Sequence, residues 1–143
     1  MDYKLQNRRR LDLLVLLKEE QKKAGYISEQ YIEQLAQEKG LSIGEVYGVA
    51  TFYHFLSTRP LGRNVIRVCK SIPCYLKSSQ LIVEMIQAEL GIKPGETTTD
   101  GFFSLQLTNC IGACDQAPAM LLNRELYGDL TPARIAQILK ECS

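Results

Sequence analysis

Apolar residues recur at two different periods along this chain, and the period changes near residue 60. Upstream the spacing is helical. Leu11, Leu14, Val15 and Leu17 form a stripe that predicts a first helix ending at Gly25. Ser28 stands where it can cap a second helix, with Ile32, Leu35 and Ala36 on the buried side and a stop near Gly40. Ser42 followed by Glu45 is a capping-box signature, and it launches a third helix carrying Val46, Val49, Ala50 and Tyr53. Thr58-Arg59-Pro60-Leu61-Gly62 then breaks the pattern. The expected division is an N-terminal helical subdomain over residues 1–60, a small bundle suited to docking a partner, and a second domain over 61–143.

Downstream the period shortens. Val65-Ile66-Arg67-Val68 is a β-branched run that predicts a strand delivering Cys69 from its end. Leu81, Ile82, Met85, Ile86 and Leu90 mark a helix stopped by Gly91, and Pro94-Gly95 and Asp100-Gly101 are turn signals. Phe103, Leu105 and Leu107 alternate with Ser104, Gln106 and Thr108, a half-buried strand that leads to Cys110. Ala119 to Leu122 reads as a third strand, which Asn123-Arg124 turns into a short fourth around Leu126-Tyr127. Thr131 caps a last helix with Pro132 at its first position, running through Ile135, Ile138 and Leu139. The order β-α-β-β-α predicts a thioredoxin-like α/β layer.

Composition narrows the chemistry. With 45% apolar and 23% charged residues in 143, the chain can bury a real core. A net charge of +1 gives no global pull toward nucleic acid or an anionic membrane. The run Arg8, Arg9 and Arg10 reads first as a solvated helix start and second as a contact to a partner or phosphates. No apolar run approaches the ~18 residues of a membrane span. Met1 to Gln6 is polar, so a secretory signal is not expected. The expectation is a cytoplasmic protein, reaching the cytoplasmic face of a membrane only as a peripheral part of a complex. In that compartment thiols stay reduced, and paired cysteines read as metal ligands.

Four of the five cysteines form two tight pairs, Cys69 with Cys74 and Cys110 with Cys114. All-sulfur ligation suits zinc or an iron–sulfur centre rather than calcium or magnesium. In a [2Fe-2S] centre each iron takes two terminal thiolates. Ligands on one loop most simply reach one metal, so Cys69 and Cys74 are expected on one iron and Cys110 and Cys114 on the other. A structural zinc adaptor without redox activity would need the same four ligands at similarly short spacings, and the residues leave it open. Neither pair is Cys-x-x-Cys, which argues against a redox dithiol. Gly112 and Ala113 let the main chain approach the sulfurs, Pro73 restricts the first loop, and Ile72 and Ile111 are placed to exclude water. Cys142 reads as a spare surface thiol and His54 as a packing or surface residue, while Phe52, Tyr53 and Phe55 read as helix packing. The chain has no dinucleotide fingerprint, phosphate loop or hydrolase set. No catalytic residue is assigned, and no complete active site is expected on this chain alone.

These same residues carry a resemblance. The segment Glu45-Val46-Tyr47-Gly48-Val49-Ala50-Thr51-Phe52-Tyr53, the two cysteine pairs, Gly95-Glu96-Thr97-Thr98-Thr99-Asp100-Gly101, and Ala117-Pro118 together resemble the thioredoxin-like [2Fe-2S] ferredoxin family. That family includes the E subunits of bacterial NADH:quinone oxidoreductase (complex I) and the small subunits of NAD(P)-linked hydrogenases and formate dehydrogenases. The resemblance covers about Gly25 to Lys140. It implies an α/β thioredoxin-like [2Fe-2S] ferredoxin domain preceded by a small helical bundle. It matches Cys69, Cys74, Cys110 and Cys114 to the family's cluster ligands. It implies one-electron transfer beside a NADH-binding FMN flavoprotein subunit, which holds the nucleotide, FMN and a [4Fe-4S] cluster, and a larger iron–sulfur or catalytic subunit. Two departures stand out: Ser71-Ile72 where the family often has Gly-Thr, and Ser78 near a position where it often has glycine.

Overall fold

The computed structural model describes the backbone of residues 3–142 and the side chains of residues 12–142. The side chains of Arg8, Arg9, Arg10 and Leu11, and the residues Met1 and Asp2, lie outside the described residues. The chain forms two compact units, Met1–Pro60 and Leu61–Ser143.

The first unit consists of α1 (Tyr3–Ala24), α2 (Glu29–Lys39) and α3 (Ile43–Phe52). Local chemistry sets the helix ends. The Ser28 hydroxyl accepts from the Tyr31 N–H at 3.2 Å, and Gly40 closes α2 at a φ of 63°. At α3 the Ser42 hydroxyl accepts from Glu45 N–H at 3.2 Å, while the Glu45 carboxylate accepts from Ser42 N–H at 2.9 Å. These reciprocal bonds satisfy donors that a helix start leaves orphaned. Leu13, Leu17, Ile32, Leu35, Val46 and Ala50 meet in one core. The Gln21 side chain fastens the exit from α3, accepting from Ser57 N–H at 2.6 Å and donating to the Phe55 carbonyl. The expected aromatic packing is met only in part. Tyr53 packs on the core, while Phe52, 73% exposed, and Phe55, also exposed, pack only on the Tyr53 ring, at centroid distances of 5.0 and 5.3 Å.

The second unit runs β1 (Asn64–Cys69), α4 (Ile72–Leu76), α5 (Ser79–Leu90), β2 (Phe103–Thr108), β3 (Met120–Leu122), β4 (Glu125–Tyr127) and α6 (Pro132–Glu141). Its four-stranded sheet has the order β2-β1-β3-β4. β1 and β2 are parallel, with Asn64 opposite Phe103 and Cys69 opposite Thr108. β3 and β4 are antiparallel additions. One sheet face contributes Ile66, Val68, Leu105 and Met120 to a core shared with Ile82 and Ile86 of α5 and Ile135 and Ile138 of α6. The β3–β4 turn is anchored by Asn123, at a φ of 56°, whose side-chain oxygen accepts from Val65 N–H at 2.9 Å. Asparagine tolerates that left-handed backbone better than most residues.

The β2 alternation is only half realised. Phe103 and Leu105 are buried, but Leu107 is exposed, while Ser104 and Thr108 are buried. For Ser104 the cause is the start of the unit: Gly62 N–H donates to its hydroxyl at 2.7 Å, and the same hydroxyl bonds that of Thr97 at 2.6 Å. The Thr98-to-Gly101 turn is knotted internally. The Thr98 hydroxyl accepts from Phe103 N–H at 3.0 Å and the Asp100 carboxylate from Phe102 N–H at 2.9 Å. The Thr98 hydroxyl, and then the Phe102 N–H, hold the Asp100 carboxyl below the usual carboxylate range. Among the described residues, no helix is long and apolar enough to cross a membrane.

Candidate metal centre

Parallel pairing brings the ends of β1 and β2 side by side, with Lys70 N–H donating to the Thr108 carbonyl at 2.9 Å. Both cysteine loops leave the sheet from this end. Cys69 is the last residue of β1 and is buried. Cys74 is buried on α4, a five-residue helix with proline in its first turn. Proline suits that position, since its missing N–H has no helical partner to lose. Sequence reading missed this helix and treated the segment as loop.

Cys110 and Cys114 are exposed, and their sulfurs lie 3.4 Å apart. Gly112 holds a φ of 81°, and its N–H points at Cys110 Sγ at 3.4 Å. That left-handed backbone favours glycine. Behind the pair, a 3-10 turn over Cys114–Gln116 leads to a cis Ala117-Pro118 bond. Asp129 N–H donates to the Gln116 carbonyl at 2.7 Å and Leu130 N–H to the Pro118 carbonyl at 3.1 Å, so the segment after β4 clamps this loop. Cys69, Cys74, Ala113 and Ala119 pack as a small buried cluster, with Ile111 and Ala117 partly buried against it.

The thiols sense one another across both loops. Burial pushes Cys69 up, but the Ser71 N–H, the Cys74 thiol, the Ser71 hydroxyl and the Ile111 N–H outweigh it, leaving Cys69 below the ordinary thiol value. Cys74 is pushed up by burial, opposed by the Ala119 N–H, and further raised by Cys69 and by charge on Cys114. Cys114 is pushed up first by its bond with Cys110, then by desolvation and by charge on Cys110, Cys69 and Asp115. Cys74 and Cys114 thus resist losing their protons while neighbouring thiolates are charged. A bound cationic centre removes that resistance, because a coordinating thiol is deprotonated outright. Among the described residues no set of three His, Cys, Asp or Glu side chains gathers round one point. The arrangement is of two pairs, which fits a centre with two thiolates on each of two irons.

Other expected residues fall outside this group. Ile72 is 74% exposed, so it does not exclude water; Ile111 does pack beside the sulfurs. Ile72 sits at the first position of α4, where burial of Cys74 turns the opposite face outward. Cys142 is not a spare surface thiol but is partly buried against the core below the sheet, and His54 is exposed. A cleft of 870 Å³ lined by Leu90, Thr98, Asp100 and Phe102 lies at the opposite end of the strands, where turn hydrogen bonds already engage Thr98 and Asp100. One polar residue of the sheet had escaped notice. Arg67 on β1 has a guanidinium held below its ordinary value by burial alone, and its Nε is buried without a hydrogen-bond partner among the described residues.

Comparison with known proteins agrees with this geometry. A match to the family of thioredoxin-like [2Fe-2S] ferredoxins spans residues 2–143. The chain belongs to this family. It is 40% identical over 124 residues to the E subunit of the NADH-quinone oxidoreductase of Pseudomonas aeruginosa, covering 87% of this chain and 75% of that one. The identity and coverage are the same for the E subunit of the Escherichia coli NADH-quinone oxidoreductase. Among solved structures, an NAD+-reducing [NiFe]-hydrogenase in the air-oxidized state superposes with a TM-score of 0.77 at 28% identity, over 91% of this chain. The chain spans 22% of that hydrogenase chain. The role of this family member is electron transfer, as a small subunit related to those of NADH-quinone oxidoreductase and hydrogenase complexes.

Proposed function

We propose that Cys69 and Cys74 ligate one iron of a [2Fe-2S] centre, and Cys110 and Cys114 the other. The observation that carries this reading is the delivery of two cysteine pairs from the adjacent ends of parallel strands, close enough that each pair shifts the other's protonation. When bound, the centre supplies storage of a single electron. The chain's own residues do the rest. Ser71, Ile111, Ala119 and Gly112 aim N–H groups at three of the sulfurs, where they stabilise negative charge on the ligands. Ala113 and Ala119 shield the inner pair from water, and the exposed Cys110–Cys114 pair faces outward, toward an electron donor.

The donor in this reading is a flavoprotein subunit of an NAD(P)H-linked complex, of the NADH:quinone oxidoreductase, hydrogenase or formate dehydrogenase type. That partner holds FMN, the nucleotide and a [4Fe-4S] cluster, and a larger iron–sulfur or catalytic subunit completes the assembly. The reading draws support from the NADH-quinone oxidoreductase relatives and from the absence of any nucleotide fingerprint in this sequence. The helical unit over residues 1–60 is the docking element, and the complex works in the cytoplasm, free or peripheral to the membrane.

Anaerobically prepared chain should contain about two irons and two acid-labile sulfides, the content of a [2Fe-2S] centre. Stoichiometric zinc without labile sulfide would replace this reading with the structural adaptor. Cys74→Ser and Cys110→Ser should weaken or abolish the visible and paramagnetic resonance signals of the reduced protein, and Cys142→Ser should leave them unchanged. Equal loss in the Cys142 variant would remove the ligand assignment. Cluster-loaded chain alone should oxidise no NADH.

A further inference from the structure

Cys110 and Cys114 differ from the other three cysteines in two respects that matter to sulfur chemistry. Both are exposed, and their sulfurs are in contact at 3.4 Å. Three residues separate them, and Gly112, in a left-handed backbone at a φ of 81°, turns the loop back on itself. The inner pair is shut away: Cys69 is 1% and Cys74 2% exposed, packed with Ala113 and Ala119. Cys142, at the end of α6, is partly buried against a core that holds no other cysteine. Closing a disulfide needs a sulfur that a solvent-borne oxidant can reach and a second thiol beside it. Among the five cysteines the outer pair alone offers both.

We propose that the Cys110–Cys114 pair is a reversible oxidation site of the cluster-free chain, closed to a disulfide by a small disulfide of the glutathione class and reopened by thiols. One sulfur of the pair attacks a sulfur of the oxidant, and the first glutathione leaves with the electron pair of the broken bond. The neighbouring cysteine then attacks the mixed disulfide at the protein sulfur and displaces the second glutathione. The two cysteine protons end on the two departing glutathiones, so two thiols and one disulfide give one disulfide and two thiols. The second step is intramolecular, between sulfurs already within the ~3–3.5 Å of a near-attack arrangement, and it outruns reaction with other molecules. The consequence for metal binding rests on the two-iron reading of the site. A chain closed at Cys110–Cys114 keeps two thiols of the four and cannot hold the second iron, so a two-electron reduction must precede loading.

The test takes the full chain, cluster-free and thiol-reduced, and exposes it anaerobically to glutathione disulfide. Acid quenching, alkylation and mass spectrometry then map the sulfurs. The expected product has a Cys110–Cys114 link, with Cys69 and Cys74 still free, and thiol treatment should restore all four. Cys114→Ser should stop at a glutathione adduct on Cys110, an adduct that wild type does not accumulate. Cobalt(II) reads the consequence, used without sulfide because sulfide itself cleaves disulfides. Reduced chain should give thiolate-to-cobalt absorption, and closed chain should lose it. The proposal is overturned if no link forms, if glutathione adducts persist on wild-type Cys110 or Cys114, or if Cys69 and Cys74 are linked instead. An unchanged cobalt band in the closed chain overturns it as well. Reduced wild-type chain that takes up neither iron nor sulfide is a different failure: the two-iron reading falls, while a mapped Cys110–Cys114 link still establishes the oxidation site.

Discussion

Ser78 holds a φ of 65° and a ψ of 36° at the start of α5, a left-handed backbone in a residue with a Cβ. Its side chain makes no capping bond there, so nothing local offsets the strain. The left-handed conformation costs an L-residue about 1–2 kcal/mol. Glycine avoids that cost but loses about 0.4–1 kcal/mol through greater freedom in the unfolded chain. Ser78→Gly should therefore stabilise the protein by about 0.5 kcal/mol in denaturant unfolding. A loss of stability would show that the left-handed backbone carries no strain here. Asn123 occupies a similar conformation without such a conflict, because its amide oxygen also accepts from Val65 N–H at 2.9 Å.

At the scale of elements, the approach of the Leu61–Gly62 segment to β2 is the closest packing in the second unit's entry. A Cβ on Gly62 would lie 2.9 Å from the Phe103 carbonyl carbon and 3.1 Å from the Gly101 oxygen, both backbone atoms that cannot swing aside. Gly62→Ala should destabilise the chain by about 1–3 kcal/mol, the range of overpacking, and weaken the Ser104 contact with it. An unchanged unfolding midpoint would show that the segment can shift freely. This approach also explains what the sequence could and could not reveal. Helix starts were legible because Ser42 with Glu45, and Thr131 with Pro132, carry their instructions within a few residues. Burial of Ser104 was not, because its partner Gly62 lies 42 residues away. Helix α4 escaped because five residues show no period, and its form follows from burying Cys74. The cysteine pairs could be read directly. The N–H groups that Ile111 and Ala119 direct at sulfurs of the other loop could not, since they exist only once the loops pack.

For the whole molecule, the first unit leaves large apolar side chains in solvent while carrying no part of the cysteine site. Ile43 and Tyr47 are one turn apart on α3 and both are exposed, as are Phe52 and Phe55 beyond them. Buried aromatic anchors dominate the energy of most interfaces, and exposed ones outside any core mark where a partner can seat. If this unit docks the flavoprotein, removing one anchor should separate electron delivery from electron storage. Phe52→Ser should cost no more than about 1.5 kcal/mol of stability, since the side chain is 73% exposed and meets the core only edge-on through Tyr53. It should also leave reduction of the centre by a chemical reductant unchanged. Reduction driven by NADH through the purified flavoprotein partner should fall, with binding weakened by about 1–2 kcal/mol, or about tenfold. Equal NADH-driven rates in the two proteins would move the docking surface elsewhere, because a partner that buries Phe52 cannot be indifferent to losing about 150 Å² or more of aromatic contact.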